Sequence, residues 1–205
     1  MTDTKRITAL FGGSFDPIHN GHVMLANYIA ASGVVDEVCV MVSPQNPLKA
    51  DKRITDDRLR LEMAQAALHG MKNVFVSDFE FSLPRPSFTF DTLNALGKAF
   101  PDRLFIPLVG SDNWNNITKW YRAEEIIRDN GLIVYPRPGY PIDKEILAGK
   151  RELIEKVIFL TDAPVTEISS TYIRERLRRG DDLRGFIPES VAEFIKQHNI
   201  YLHRQ

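Results

Sequence analysis

The regular alternation of two kinds of segment is what most limits how this chain can fold. Short apolar runs of strand type occur at 7–11, 38–42, 74–76, 104–109, 132–134 and 157–160. Between them, apolar residues recur at helical spacing. After Asp56, the residues Leu59, Met63 and Ala66/Ala67 share one helix face. A second helix is expected over 89–100, closed by Pro101. Val191, Phe194, Ile195 and His198 mark another, with Pro188 suited to its first turn. Strand–helix alternation implies βαβ units and a parallel sheet. The expected fold class is α/β: a doubly wound, mainly parallel sheet with a C-terminal helical segment. Residues 1–205 are expected to form a single domain, with 165–205 as a helical C-terminal subdomain.

The totals restrict the partners. Of 205 residues, 43% are apolar, enough for a real core, and the formal net charge is -1. Such a balance speaks against a polyanion or a bilayer surface as the main partner, so no nucleic acid and no membrane are expected. A local cationic pocket for a small phosphate ligand stays compatible with it. The lone cysteine, Cys39 within "VCVMV", reads as a small buried hydrophobe on a strand. The N-terminal apolar run is too short for a signal-peptide core. No stretch approaches the roughly 20 apolar residues of a spanning helix. A cytoplasmic location is the expectation.

In open parallel sheets, ligands bind beyond the carboxyl ends of the strands. Gly12 and Gly13 directly follow the first strand, where glycine lets a ligand approach the backbone and permits unusual dihedrals. Neither G-x-G-x-x-G nor G-x-x-x-x-G-K-[ST] is present. A helix is expected from about Asn20–Gly21, with His19 just before its start and His22 in its first turn. Free amides and the positive end of the dipole suit an anion there, and imidazole N–H groups extend such a site. On this loop alone other readings stay open. The histidines could be ordinary polar surface residues, or two metal ligands lacking a nearby third, and the glycines could form a simple tight turn. Further on, "EISSTYIRERLRRG" offers Ser169 or Ser170 as an N-cap, a buried Ile173/Leu177 stripe, and Arg174 beside a second helix start. Arginine suits bidentate phosphate recognition. Arg176, Arg178 and Arg179 read as a solvated basic face.

"GGSFDPIHNGH" resembles the G-G-[ST]-F-D-P-x-H-x-G-H motif of nucleotidylyltransferases, and "ISSTYIR" (168–174) resembles their second motif, I-S-S-T-x-I-R. The resemblance covers almost the whole chain and implies a Rossmann-like sheet. It implies catalytic roles for His19, His22 and Arg174. It further implies an ATP site formed by Gly12, Gly13, Ser14, Phe15, His19, His22, Gly110, Asp112, Arg137, Ile168, Ser169, Ser170 and Arg174. Mg²⁺ would be bound mainly through the ATP phosphates, with no metal site built from the protein itself.

The middle of the chain separates the acceptors that this superfamily uses. "GSDNWNNITKW" (110–120) resembles G-x-D-x-x-x-x-[FL]-x-x-W of the bacterial nicotinate-nucleotide adenylyltransferases. Trp120 matches the tryptophan that stacks on the pyridine ring, whereas Trp114 has no match and reads as structural. "RPSFTFDTL" (85–93) resembles [PS]-S-Y-T-x-x-T-L, with Phe88 replacing the tyrosine, and "PRPGY" resembles the loop that carries Arg137. In "VSPQNPLK", Lys49 matches a basic residue, and Leu48 stands where the family has histidine. The resemblance thus implies a nicotinate mononucleotide site of Lys49, Ser87, Phe88, Thr89, Asp112 and Trp120. The implied reaction is adenylyl transfer from ATP to nicotinate mononucleotide, giving deamido-NAD and pyrophosphate. A phosphopantetheine adenylyltransferase is the rival enzyme, and a nucleotide-binding regulatory module the rival of another class. Homo-oligomer formation is left open by the sequence.

Overall fold

The computed structural model describes residues 5–44 and 54–202. Six strands, β1 (Arg6–Gly13), β2 (Glu37–Val42), β3 (Val74–Ser77), β4 (Arg103–Gly110), β5 (Leu132–Tyr135) and β6 (Val157–Phe159), form one sheet. Its order is β3-β2-β1-β4-β5-β6, and every neighbouring pair is parallel. This is a Rossmann-like doubly wound sheet, and each expected apolar run lies on one of its strands or reaches one residue past it. The runs are continuous rather than alternating because helices cover both faces. All six residues of β2 are buried. Burial pushes the Cys39 thiol up to about 12, so it behaves there as a small hydrophobe.

The helices are α1 (Asn20–Ala31), α2 (Asp57–Leu68), α3 (Thr89–Ala99), α4 (Ser111–Trp114), α5 (Ala123–Asn130), α6 (Arg151–Ile154), α7 (Ser170–Arg178) and α8 (Glu189–His198). One core layer packs Ile29, Met63, Ile173, Val191 and Ile195 against Ala9, Val38 and Val40. On the other face Leu93, Leu96 and Ile126 meet Leu10, Met41 and Phe105, while Trp114 and Ile127 meet Val109 and Val134. Trp114 is fully buried, and its indole N–H donates to the Asp143 carbonyl at 2.6 Å, a structural role.

Two local expectations shift. The buried face of α2 is Arg60, Met63, Ala64 and Leu68, rotated from Leu59, Met63 and Ala66/Ala67. Sequence periodicity misplaces it because it counts Arg60 as solvent-facing. The side chain is instead fully buried and spends its N–H groups on the Ser14, Ser43 and Thr55 carbonyls and on Asp57. Pro188 is the N-cap of α8 rather than a residue of its first turn.

Candidate active site

The strand order reverses between β1 and β4, and the crevice at their carboxyl ends is a cleft of about 570 Å³. Its wall includes Gly12, Gly13, Ser14 and Gly110, then Thr89, Trp120, Ser170 and Arg174 from the helical side. A smaller recess of about 20 Å³ adjoins it, lined by His19, His22, Arg137 and Ile168, and Tyr135 borders both. Phe15, Asp112, Ser87, Phe88 and Ser169 are not on the cleft wall. Lys49 lies outside the described residues.

The two glycines turn out to do different things. Neither has a positive φ; the left-handed residue of this loop is Phe15, at φ 46°. A Cβ on Gly13 would meet the Phe15 ring at 3.0 Å, so that glycine makes room for an aromatic ring. A Cβ on Gly12 would meet nothing nearer than the Ser43 hydroxyl at 4.0 Å, leaving its backbone open to a ligand.

His19 is the N-cap of α1, with extended dihedrals. Its backbone N–H donates to Nδ1 of His22 at 3.3 Å. That bond places the proton of a neutral His22 on Nε2. The two rings stack with centroids 3.6 Å apart, and Phe15 meets His22 edge-on. Gly21 is required between them, because a Cβ there would come within 2.6 Å of Thr166 and 3.1 Å of the His19 ring. Nδ1 of His19 is buried and finds no hydrogen-bond partner among the described residues.

α7 presents the second helix start. Ser169 caps it, accepting from the Tyr172 N–H at 3.2 Å, while the Ser170 hydroxyl donates to the Pro17 carbonyl at 2.9 Å and so ties α7 to the β1 loop. Arg174 donates to the Asp16 carbonyl at 2.6 Å and to the Thr171 hydroxyl at 3.2 Å. Arg176 is not simply solvated, for it pairs with Asp181 at 2.6 Å. On the β4 side, buried Ser111 bonds the Tyr140 carbonyl and the Arg137 N–H, pinning the loop after β5. The Arg137 side chain crosses Gly110 and approaches Asp112 at 3.8 Å; a Cβ on Gly110 would come within 2.6 Å of it. Half-buried Trp120 and Thr89, the first residue of α3, form the far end of the cleft, and exposed Phe88 packs on Tyr121.

Electrostatics keep the imidazoles neutral when no ligand is bound. Burial, then the Arg137 guanidinium, lowers His19 to about 4. Burial, then His19 and Arg137, holds His22 well below its ordinary value. For such groups the unfolded chain binds more protons. The associated stability is therefore full above pH 6.5 and falls as pH drops from 6.5 towards 4. For His19 the slope is about 1.4 kcal/mol per pH unit in that window. Thermal midpoints in phosphate-free buffer should decline below pH 6.5, and the decline should be shallower for His19→Gln; parallel curves for the two proteins would contradict the assignment.

Sequence reasoning missed two acids here. Asp16 sits inside the first motif yet received no role; it is 3% exposed and lines the cleft. Glu80 also lines the cleft and accepts from the buried Thr92 hydroxyl at 2.8 Å. Their signals were weak: one acid inside a quoted motif, another in a short 3-10 turn.

Helix ends, imidazoles and a guanidinium gathered at one crevice are suited to moving a nucleotidyl group between phosphates, and define the class as a nucleotidyltransferase. The cytidylyltransferase-like family profile matches residues 10–176. A Bacteroides fragilis protein named probable nicotinate-nucleotide adenylyltransferase is 45% identical over 96% of this chain and 94% of its own length. A protein of the same name from Flavobacterium johnsoniae is 35% identical over 94% and 97%. The solved structure of Plasmodium falciparum nicotinic acid mononucleotide adenylyltransferase complexed with NaAD superimposes with a TM-score of 0.74, at 21% identity over 96% of this chain and 97% of that one. The chain belongs to the cytidylyltransferase-like family and, within it, to the nicotinate-nucleotide adenylyltransferases. Among the described residues, no helix is long and apolar enough to cross a membrane.

Proposed function

We propose that this chain transfers the adenylyl group of ATP to nicotinate mononucleotide, releasing pyrophosphate and forming deamido-NAD. The observation that carries the reading is the approach of α1 and α7 to the cleft and its adjoining recess, with His19 and His22 at the start of α1 and Arg174 in the second turn of α7. The acceptor phosphate is already ionised, so its oxygen attacks the α-phosphorus without a strong general base, and pyrophosphate leaves. Nε2 of His22 donates to the α- and β-phosphate oxygens as charge builds on them. The Arg174 guanidinium and the free N–H groups of α7 hold the leaving pyrophosphate. Gly12, Gly13, Ser14, Phe15, Gly110, Asp112, Arg137, Ile168, Ser169 and Ser170 shape the ATP side. Thr89 and Trp120 on the cleft wall, with Ser87, Phe88 and Asp112 beyond it, serve the acceptor, and Lys49 is assigned to the acceptor phosphate. The core shared by α7, α8 and the sheet supports one domain with a helical C-terminal part.

Nucleotidyltransferases of this family work with a divalent cation, and we assign Mg²⁺. The donor chemistry fits a cation that arrives on the polyphosphate: the cleft offers Asp16 and Glu80 as separate carboxylates. Among the described residues, no cluster of three or more candidate ligands occurs. Bound there, Mg²⁺ neutralises polyphosphate charge.

Two tests address the acceptor. First, kcat/KM should favour nicotinate mononucleotide over nicotinamide mononucleotide by ~10 to 10³-fold. A carboxylate only accepts hydrogen bonds, whereas a carboxamide NH₂ would face the N–H donors of the α3 start and leave them unpaired. A ratio near one would contradict this. Second, Trp120→Ala should weaken the acceptor by about 0.5–1.5 kcal/mol beyond lost area, with ATP affinity unchanged and Trp120→Phe partly restored. Equal losses for both substrates would instead make Trp120 structural.

A further inference from the structure

We propose that Tyr201, three residues past α8, is a positioning residue for Arg174 and acts through the carboxylate of Asp16. The inference rests on the reading of Arg174 as an ATP-phosphate ligand. Asp16 is buried at the floor of the cleft. Its Oδ1 accepts the Tyr201 hydroxyl and, at 3.4 Å, the Thr55 N–H. Its Oδ2 lies 3.7 Å from Nη1 of Arg174, too far for a hydrogen bond, while that same nitrogen donates to the Asp16 main-chain carbonyl at 2.6 Å. The carboxylate is therefore held between a phenol on Oδ1 and a guanidinium that faces Oδ2 without reaching it.

A buried carboxylate keeps its lone pairs satisfied. Without the phenol, Oδ1 keeps only the long Thr55 bond, and Arg174 is the cation that faces the carboxylate; closing the 3.7 Å gap to Oδ2 would turn the guanidinium from the cleft into a full ion pair with Asp16. Tyr201 thus leaves N–H groups of Arg174 free for phosphate. Two further features agree. Tyr201 adopts φ 62°, a costly conformation for an aromatic residue, and one that its anchored hydroxyl accompanies. Burial and the Asp16 charge also push the phenol upward, so it remains a donor through the neutral range.

The test is a double-mutant cycle on ATP affinity. Titration calorimetry of the full chain with ATP and Mg²⁺, acceptor omitted, compares wild type, Tyr201→Phe, Arg174→Ala and the double variant. Tyr201→Phe should weaken ATP about tenfold, the scale of one hydrogen bond to a charged group. In the Arg174→Ala background the same change should have less than about a twofold effect, because nothing is left to position. Wild-type affinity in Tyr201→Phe, or an equal loss in both backgrounds as a general structural defect would give, overturns the proposal. Pyrophosphate release by the wild type with nicotinate mononucleotide is measured alongside. If ATP binds but is not transferred, the proposed acceptor fails while the cycle still decides the role of Tyr201. A wild type that binds no ATP overturns both.

Discussion

His22→Ala should lower kcat for adenylyl transfer by roughly 10²–10³, equivalent to about 2.7–4 kcal/mol, the usual loss for one donor aimed at developing negative charge. The geometry explains why so much rests on a single ring. Nδ1 is occupied by the His19 N–H, so Nε2 is the donor, and stacking on His19 with Phe15 edge-on fixes the direction in which it points. The ring costs no reorganisation at the moment of reaction. Burial keeps it neutral in the ligand-free protein, so Nε2–H is already in place as a neutral donor when the polyphosphate arrives. The thermal midpoint of His22→Ala should fall only modestly next to that kinetic loss, since the ring makes one long hydrogen bond and packs on His19, Phe11 and Phe15. Steady-state kinetics and thermal melts check both statements together; near-full kcat would remove His22 from the chemistry.

Arg60→Met carries the largest expected effect on stability, roughly 3–5 kcal/mol, the range for removing one partner of a buried charged network. Methionine approximates the volume but supplies no donor. The Ser14, Ser43 and Thr55 carbonyls lose their guanidinium, while Asp57 keeps Arg85 at 3.1 Å. At about 2–4 °C per kcal/mol for a chain of this size, the midpoint should fall by roughly 6–20 °C. Since Ser14 and Ser43 follow β1 and β2 at the mouth of the cleft, KM for ATP should rise as well. A midpoint within about 2 °C of wild type would show that the network is dispensable.

Much of the fold was legible because doubly covered parallel strands need continuous apolar runs, and those runs stand out in one dimension. The site was legible where chemistry sits on consecutive residues at helix starts: His19 and His22 at α1, and Ser169 to Arg174 at α7. It was illegible where partners lie far apart in sequence. Arg60 looks like a surface residue until the Ser14 carbonyl, 46 positions away, is placed over it. Tyr201 and Asp16 are 185 positions apart, and no local pattern links a phenol near one end of the chain to an acid near the other. Gly13 carried the right signal for a different reason, since it accommodates the Phe15 ring.

The central claim is that this crevice joins two phosphates by direct attack of one on the other. The most direct measurement combines the protein with ATP labelled at the α-phosphate, nicotinate mononucleotide and Mg²⁺, and follows label and pyrophosphate together. The account predicts one pyrophosphate released per labelled deamido-NAD formed, no release when nicotinate mononucleotide is omitted or replaced by phosphopantetheine, and no label retained on denatured protein. Label trapped covalently on the chain, or faster release with phosphopantetheine, would contradict it.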